Sequence, residues 1–193
     1  MNKSILRKQL LEKRKNFDLD YINTSNLLIT NKAIEFIKKN KFKQICIYLS
    51  TKYETDTKKI INWCLENDIL VFVPKVLNDN NMNMVLLNNS SLTNLNKFNI
   101  YEPVSDIKAS LDQIDCIFTP LVGFDEQLNR IGMGKGFYDK FFSLNSYNYL
   151  KVGICFDKQK TKQILVDAND IKLDYIITEN NHIYKKTKLQ KRS

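Results

Sequence analysis

Between Lys3 and Lys15, Ile5, Leu6 and Leu10 fall on one helical face with lysines and arginines opposite, so the period of about 3.6 residues predicts an amphipathic helix. A second such helix is predicted from Ser25 to Lys39 through Leu28, Ala33, Ile34 and Ile37. The unbroken apolar stretch Gln44 to Leu49 predicts a buried strand. Asp56 is placed to cap a helix that ends near Asn67 and turns Ile60, Ile61, Cys64 and Leu65 to one side. Leu70 to Val73 reads as a strand stopped by Pro74, and Met82 to Leu87 as another. Asn88 to Asn99, rich in Asn, Ser and Thr, predicts a surface loop. Ile114 to Thr119 is an apolar strand ending at Pro120; a helix follows from Phe137 through Phe141 and Phe142, then strands at Val152 to Phe156 and Tyr175 to Thr178. Strands separated by helices predict a single α/β domain, a mostly parallel sheet with helices on both faces.

Glycine sharpens this picture. The chain has five, and four of them lie between Gly123 and Gly136, directly after the Ile114 to Thr119 strand and before the Phe137 helix. A chain so poor in glycine that concentrates it in one loop needs positive φ there, or close approach of a ligand to its amides. In parallel sheets ligands bind at the carboxyl ends of strands, which is where this loop falls. Gly132-Met-Gly-Lys-Gly-Phe nevertheless matches neither the dinucleotide nor the P-loop fingerprint: Phe137 stands in place of a last glycine, and no Ser or Thr follows Lys135. Its chemistry still suits a phosphate. Successive N–H groups converge, a helix N-terminus follows, and Lys135 and Arg130 add cations. Asp139 in the first helical turn either bridges to polyphosphate through a divalent ion or serves the helix end electrostatically.

Composition narrows the classes. Hydrophobic residues make up 43% and charged residues 26% of the 193, ordinary for a globular protein, and no apolar run approaches the roughly 18–20 residues of a membrane span. The start carries no apolar signal core, so the expected address is cytoplasmic. Cys46, Cys64, Cys116 and Cys155 sit among apolar neighbours without C-x-x-C spacing and read as buried free thiols. With His182 the single histidine, a histidine base or paired histidine ligands are set aside, and any metal should be a hard, oxygen-bound ion. The net charge of +9 rests on twenty-six lysines and only four arginines, clustered toward both ends. Such runs are usually solvated, so small molecules rather than nucleic acid are the expected partners, and a monomer the expected state.

Pro120-Leu-Val-Gly-Phe-Asp, followed by Asn129-Arg-Ile-Gly-Met-Gly-Lys-Gly-Phe-Tyr-Asp, resembles the signature of the 5-formyltetrahydrofolate cyclo-ligase (5,10-methenyltetrahydrofolate synthetase) family. Lys3-Ser-Ile-Leu-Arg7 resembles that family's nucleotide-contacting segment. Tyr48-Leu-Ser with Glu54-Thr-Asp-Thr57 resembles its folate-contacting segment, Val73-Pro-Lys-Val its next strand, and Asn169-Asp170-Ile-Lys-Leu-Asp a stretch with a second metal carboxylate. The resemblance implies an architecture like that of ribose-5-phosphate isomerase and CoA transferases over residues 1–184, leaving 185–193 as a basic tail. It implies that ATP is held by Lys3, Arg7, Arg130, Ile131, Gly132, Met133, Gly134, Lys135, Gly136, Phe137 and Tyr138, and that Mg2+ is bound by Asp139 and Asp170. Leu49, Glu54 and the Met133 to Phe137 segment would face the folate, with Lys135 and Arg130 as the catalytic cations.

Two positions depart from the family pattern. Leu128 stands where a glycine is usual, so the turn before Arg130 is expected to be made differently. Phe137 replaces a usual tyrosine; it can stack on a flat ring but lacks the phenol, which would weaken binding by roughly 0.5–1.5 kcal/mol. The rival readings are a basic protein that binds nucleic acid or another polyanion through its ends, and an enzyme of similar fold handling a sugar phosphate or a coenzyme A thioester.

Overall fold

The structure is a computed structural model that describes residues 2–78, 81–87, 92–95, 101–103 and 105–184. Helix α1 runs Lys3–Lys15 as the periodicity predicts, and the Asn2 side chain accepts the Ser4 N–H at 2.8 Å to cap it. Helix α2 spans Leu19–Asn40, starting six residues before the apolar stripe because Asp18 accepts the N–H groups of Asp20 and Tyr21. Its buried stripe is Ile29, Ala33, Phe36 and Ile37; Leu28, which the sequence places on that face, is exposed. Helix α3 is Lys58–Glu66, and Asp56 accepts the Lys58 N–H at 2.9 Å from just outside it.

Strands β1 (Gln44–Ile47), β2 (Leu70–Asn78) and β3 (Asn81–Leu86) contradict one expectation: β2 does not stop at Pro74. The Leu70 N–H donates toward β1, to the Lys43 carbonyl, and alternation puts the nitrogen of Pro74 on that same side. Pairing with β1 ends at Cys46↔Phe72, so the missing N–H deprives no partner, while β3 continues to pair through Pro74↔Met84. The expected loop at 88–99 also contains a strand: β4 (Leu92–Leu95) pairs with β5 (Tyr101–Pro103), and the rest of that stretch lies outside the described residues.

Strand β6 (Cys116–Pro120) leads into a small hairpin of β7 (Gly123–Phe124) and β8 (Arg130–Ile131). Helix α4 (Phe137–Leu144) follows, then β9 (Leu150–Ile154), a single 3-10 turn at Asp157–Gln159, β10 (Tyr175–Ile177) and β11 (His182–Tyr184). The main sheet is ordered β11-β10-β9-β6-β1-β2-β3, parallel at its four central pairings and antiparallel at both edges. Alternation sorts its residues cleanly. Ile45, Ile47, Val71, Val73, Cys116 and Phe118 join α2 and α3 in one core, whereas Cys46, Phe72 and Ile117 meet Phe141 and Phe142 of α4 in the other. Helices therefore cover both faces, as expected of a largely parallel sheet. All four cysteines are free and buried, and among the described residues no helix is long and apolar enough to cross a membrane.

Helix α1 lies on the hairpin. Leu6 and Leu10 pack with Val122, Ile131 and Ile164, and Gly123 makes room for them: a Cβ there would sit 2.4 Å from Leu10 Cδ1. This close approach fixes where the amino-terminal cations of α1 fall.

Candidate active site

The carboxyl ends of the adjacent strands β1 and β6 open toward the hairpin and the glycine loop, the crevice such sheets use for ligands. The turn of the hairpin is organised by Asp125, a fully buried carboxylate. Its Oδ1 accepts the N–H groups of Gln127 and Asn129 at 3.0 Å, and its Oδ2 accepts Asn129 Nδ2 and the Ile164 N–H at 2.9 Å. Leu128 itself takes the left-handed conformation, φ 66°, so the turn is made as a glycine would make it, and the expectation of a different turn is corrected. Burial of its side chain beside Phe124, Leu121, Leu173 and Ile176 offsets the strain.

Beyond β8 the loop residues Met133, Gly134, Lys135 and Gly136 are exposed. Gly134 (φ 94°) and Gly136 (φ 69°) hold the positive φ that glycine supplies. Arg7 reaches this loop from α1: its Nε–H donates to the Gly132 carbonyl at 2.8 Å, and its guanidinium would lie 3.2 Å from a Cβ at Gly134. Gly136 sits at the N-cap of α4 and provides no side-chain cap, so the first N–H groups of that helix face outward beside Lys135. Lys135 makes no ion pair with the described residues.

Next to the loop lies an acidic wall. Asp139 Oδ1 accepts Arg130 NH2 at 2.7 Å and the Ile171 N–H at 3.0 Å, while Arg130 NH1 donates to the Ile171 carbonyl. The Arg130 side chain is only 6% exposed and stacks 5.4 Å over Phe142; burial pulls its guanidinium below the ordinary value and Asp139 opposes that shift. Lys3 donates to both Asp167, at 2.8 Å, and Asp170. Lys3, Arg7, Arg130, Asp139, Asp170 and the loop are thus gathered in one place, from segments as far apart as 167 positions. Asp167 is not legible in the sequence as a member, since only its i,i+3 spacing from Asp170 marks it.

Among the described residues no three acidic, histidine or cysteine groups converge as a metal cage. A magnesium ion commonly takes only one or two carboxylates and completes its shell with phosphate and water, so the half-buried Asp139 and Asp170 are a donor set of the right chemistry for a hard ion.

On the β1 side, Tyr48 is buried and its hydroxyl donates to the Thr55 carbonyl at 3.1 Å, stitching the strand end to the segment carrying Glu54. Glu54 Oε2 accepts the N–H and Oγ1 of Thr51, both at 2.9 Å. Leu49 packs against the α2/α3 core. Phe137 and Tyr138 pack against the opposite core, and desolvation, with Glu54 the first charge to add to it, pushes the Tyr138 phenol up.

An α/β sheet with an exposed, amide-rich loop at its carboxyl edge, ringed by Lys3, Arg7 and Lys135, defines an enzyme class that handles an anionic substrate by positioning and charge. The family model of the 5-formyltetrahydrofolate cyclo-ligase family matches residues 1–179, and the chain belongs to that family. It is 33% identical to a probable 5-formyltetrahydrofolate cyclo-ligase of Schizosaccharomyces pombe, over 81% of this chain and 85% of that one. It is also 33% identical to the 5-formyltetrahydrofolate cyclo-ligase of Mycoplasma pneumoniae, over 93% and 99%. A solved 5,10-methenyltetrahydrofolate synthetase from Aquifex aeolicus superposes with a TM-score of 0.84 at 28% identity, over 100% of this chain and 96% of that one. Cyclo-ligation of 5-formyltetrahydrofolate is accordingly the activity, and the polyanion-binding and sugar-phosphate or coenzyme A alternatives are set aside.

Proposed function

We propose that this site closes 5-formyltetrahydrofolate to 5,10-methenyltetrahydrofolate at the expense of ATP, with the triphosphate held by the loop from Arg130 to Tyr138 together with Lys3 and Arg7. The observation that carries this is the bond from Arg7 to Gly132, which fastens a cationic helix to an exposed loop of amides that also bears Lys135. In closing onto N10 the formyl oxygen must leave, and as hydroxide it leaves poorly. Its attack on the γ-phosphorus of ATP forms the O–P bond, expels ADP and converts that oxygen into part of a phosphate leaving group. N10 then attacks the formyl carbon, phosphate departs with the oxygen, and N10 gives up its proton.

Such a sequence asks the protein for alignment and charge neutralisation rather than for a nucleophile. Lys135, exposed at the loop tip, meets the transferring phosphoryl group; Arg130 contributes its charge from beneath the loop and holds Asp139. A magnesium ion, bound by Asp139 and Asp170, would supply further neutralisation of the polyphosphate. Leu49, Glu54 and the segment from Met133 to Phe137 face the folate, Phe137 offering a ring to stack on but no hydroxyl. A cytoplasmic monomer acting on small molecules belongs to the same reading. The experiment is spectroscopic: purified protein, ATP, magnesium and 5-formyltetrahydrofolate are mixed, and near-ultraviolet absorbance of the methenyl product is expected to grow. Absence of that absorbance, or growth equal with and without ATP, overturns the proposal.

A further inference from the structure

The first turn of α1 places a cation where a helix least favours one. Lys3 is the first residue of the helix, its turn contains no acidic side chain, and the aligned backbone dipoles already make that end positive. Asn2 supplies the cap, so Lys3 is not needed to start the helix. Its ammonium is divided between two carboxylates, Asp167 at 2.8 Å and Asp170.

The two carboxylates are not equivalent. Asp170 is fixed by its own turn: the Asp167 N–H donates to Asp170 Oδ2 at 2.6 Å, and the Asp170 N–H donates to the Asp167 carbonyl at 3.0 Å. Its side chain is 26% exposed, and its place does not depend on Lys3. The Asp167 side chain is 79% exposed, and among the described residues Lys3 is its only side-chain partner. An ion pair so open to water adds little to stability. As a counterion for Lys3, Asp170 would suffice. Asp167 adds a second, more exposed acceptor for the same ammonium.

That second acceptor matters once Asp170 has to hold a divalent ion. The Asp170 oxygen that accepts Lys3 also accepts a backbone N–H, and a carboxylate neutralised by a lysine attracts a metal less. Two cations on one carboxylate also repel each other. Arg7, one turn farther along α1, is bonded to Gly132, so an ammonium retained at this rim stays next to the glycine loop. We infer that Asp167 is a positioning residue: it draws Lys3 off Asp170 and keeps it at the loop, freeing Asp170 for the metal when ATP arrives. Asp167 acts through Lys3 and does not meet the reacting atoms. This rests on the proposed placement of ATP at Lys3 and of magnesium at Asp170.

Calorimetric titration of the folate-free protein with ATP tests it, since without the formyl group there is no acceptor for the phosphoryl group. The quantity read is the magnesium enhancement, Kd for ATP in EDTA divided by Kd in excess magnesium, for wild type, Asp167→Asn, Lys3→Gln and the double variant. Asp167→Asn is expected to lower the enhancement about fivefold, and Asp167→Glu to keep it within about twofold of wild type. In the Lys3→Gln background Asp167→Asn should change it less than about twofold. A merely structural aspartate would weaken ATP binding alike with and without magnesium. One that only adds negative charge near the metal would act at least as strongly once Lys3 is gone. Either pattern, or an unchanged enhancement, overturns the inference while methenyl formation by the wild type leaves the function standing. A wild type that binds no ATP overturns both. Should Lys3→Gln bind ATP too weakly to titrate, Asp167→Glu decides: an enhancement near that of wild type upholds the inference, and one as low as that of Asp167→Asn overturns it.

Discussion

Leu128 shows how a single side chain can substitute for a conformational rule. A left-handed backbone costs a residue with a Cβ roughly 1–2 kcal/mol, and here the turn is enforced by four hydrogen bonds to the Asp125 carboxylate and by burial of the leucine. Leu128→Ala should lose about 2–5 kcal/mol, because it empties the pocket and keeps the strain. Leu128→Gly removes the same atoms but relieves the backbone, so its urea midpoint is expected to be no lower than that of the alanine variant, an inversion of the usual order. Lys135→Ala should lower turnover about 10²-fold, as when a preorganised charge facing a phosphoryl group is removed, and a near-normal kcat would remove Lys135 from the mechanism. Asp139→Asn should raise the magnesium concentration needed for half-maximal rate; an unchanged magnesium titration would leave Asp139 its bonds to Arg130 and the Ile171 N–H alone. The glycines and Lys135 stand out in the sequence because glycine is concentrated in that one loop, whereas the position of Asp139 in a first helical turn leaves its role open. The buried place of Asp125 is not legible, since burial of a charge is decided by tertiary packing that local pattern does not encode.

Among the elements, α1 links sequence to site most directly. Its range is legible in the apolar period alone, yet its role depends on a contact the period cannot reveal, the seat that Gly123 leaves for Leu10. Gly123→Ala would press Leu10 Cδ1 on one side and the Gln159 carbonyl, at 3.3 Å, on the other. The expected cost is about 1–3 kcal/mol of overpacking, and as α1 shifts, KM for ATP should rise more than KM for folate. An unaltered ATP KM would show that Lys3 and Arg7 do not depend on this seat. Strand β2 teaches the converse. Proline reads as a stop because it lacks a donor, but which neighbour loses that donor depends on sheet order, and β1 has already ended where Pro74 faces it.

For the molecule as a whole, alternation of strands and helices predicts the parallel sheet and its two covered faces, while the β4/β5 and β7/β8 pairs and the antiparallel edge β11 escape notice because strands of two to four residues carry almost no periodic signal. Truncation after Tyr184 should leave turnover within about twofold, since the residues proposed for the site all lie within 3–170 and basic runs at chain ends are usually solvated. Loss of activity on truncation would give the tail a part in the reaction.

The bond from Lys3 to Asp170 joins residues 167 positions apart. During synthesis the first helix leaves the ribosome long before its acidic partner has been translated, so Lys3 must wait for almost the entire polypeptide, while the apolar stripe meets Val122 and Ile131 earlier. A nascent chain halted before Val122 would leave Leu6 and Leu10 exposed to chaperones, whereas one released after Tyr184 could close the Lys3 to Asp170 bond at once.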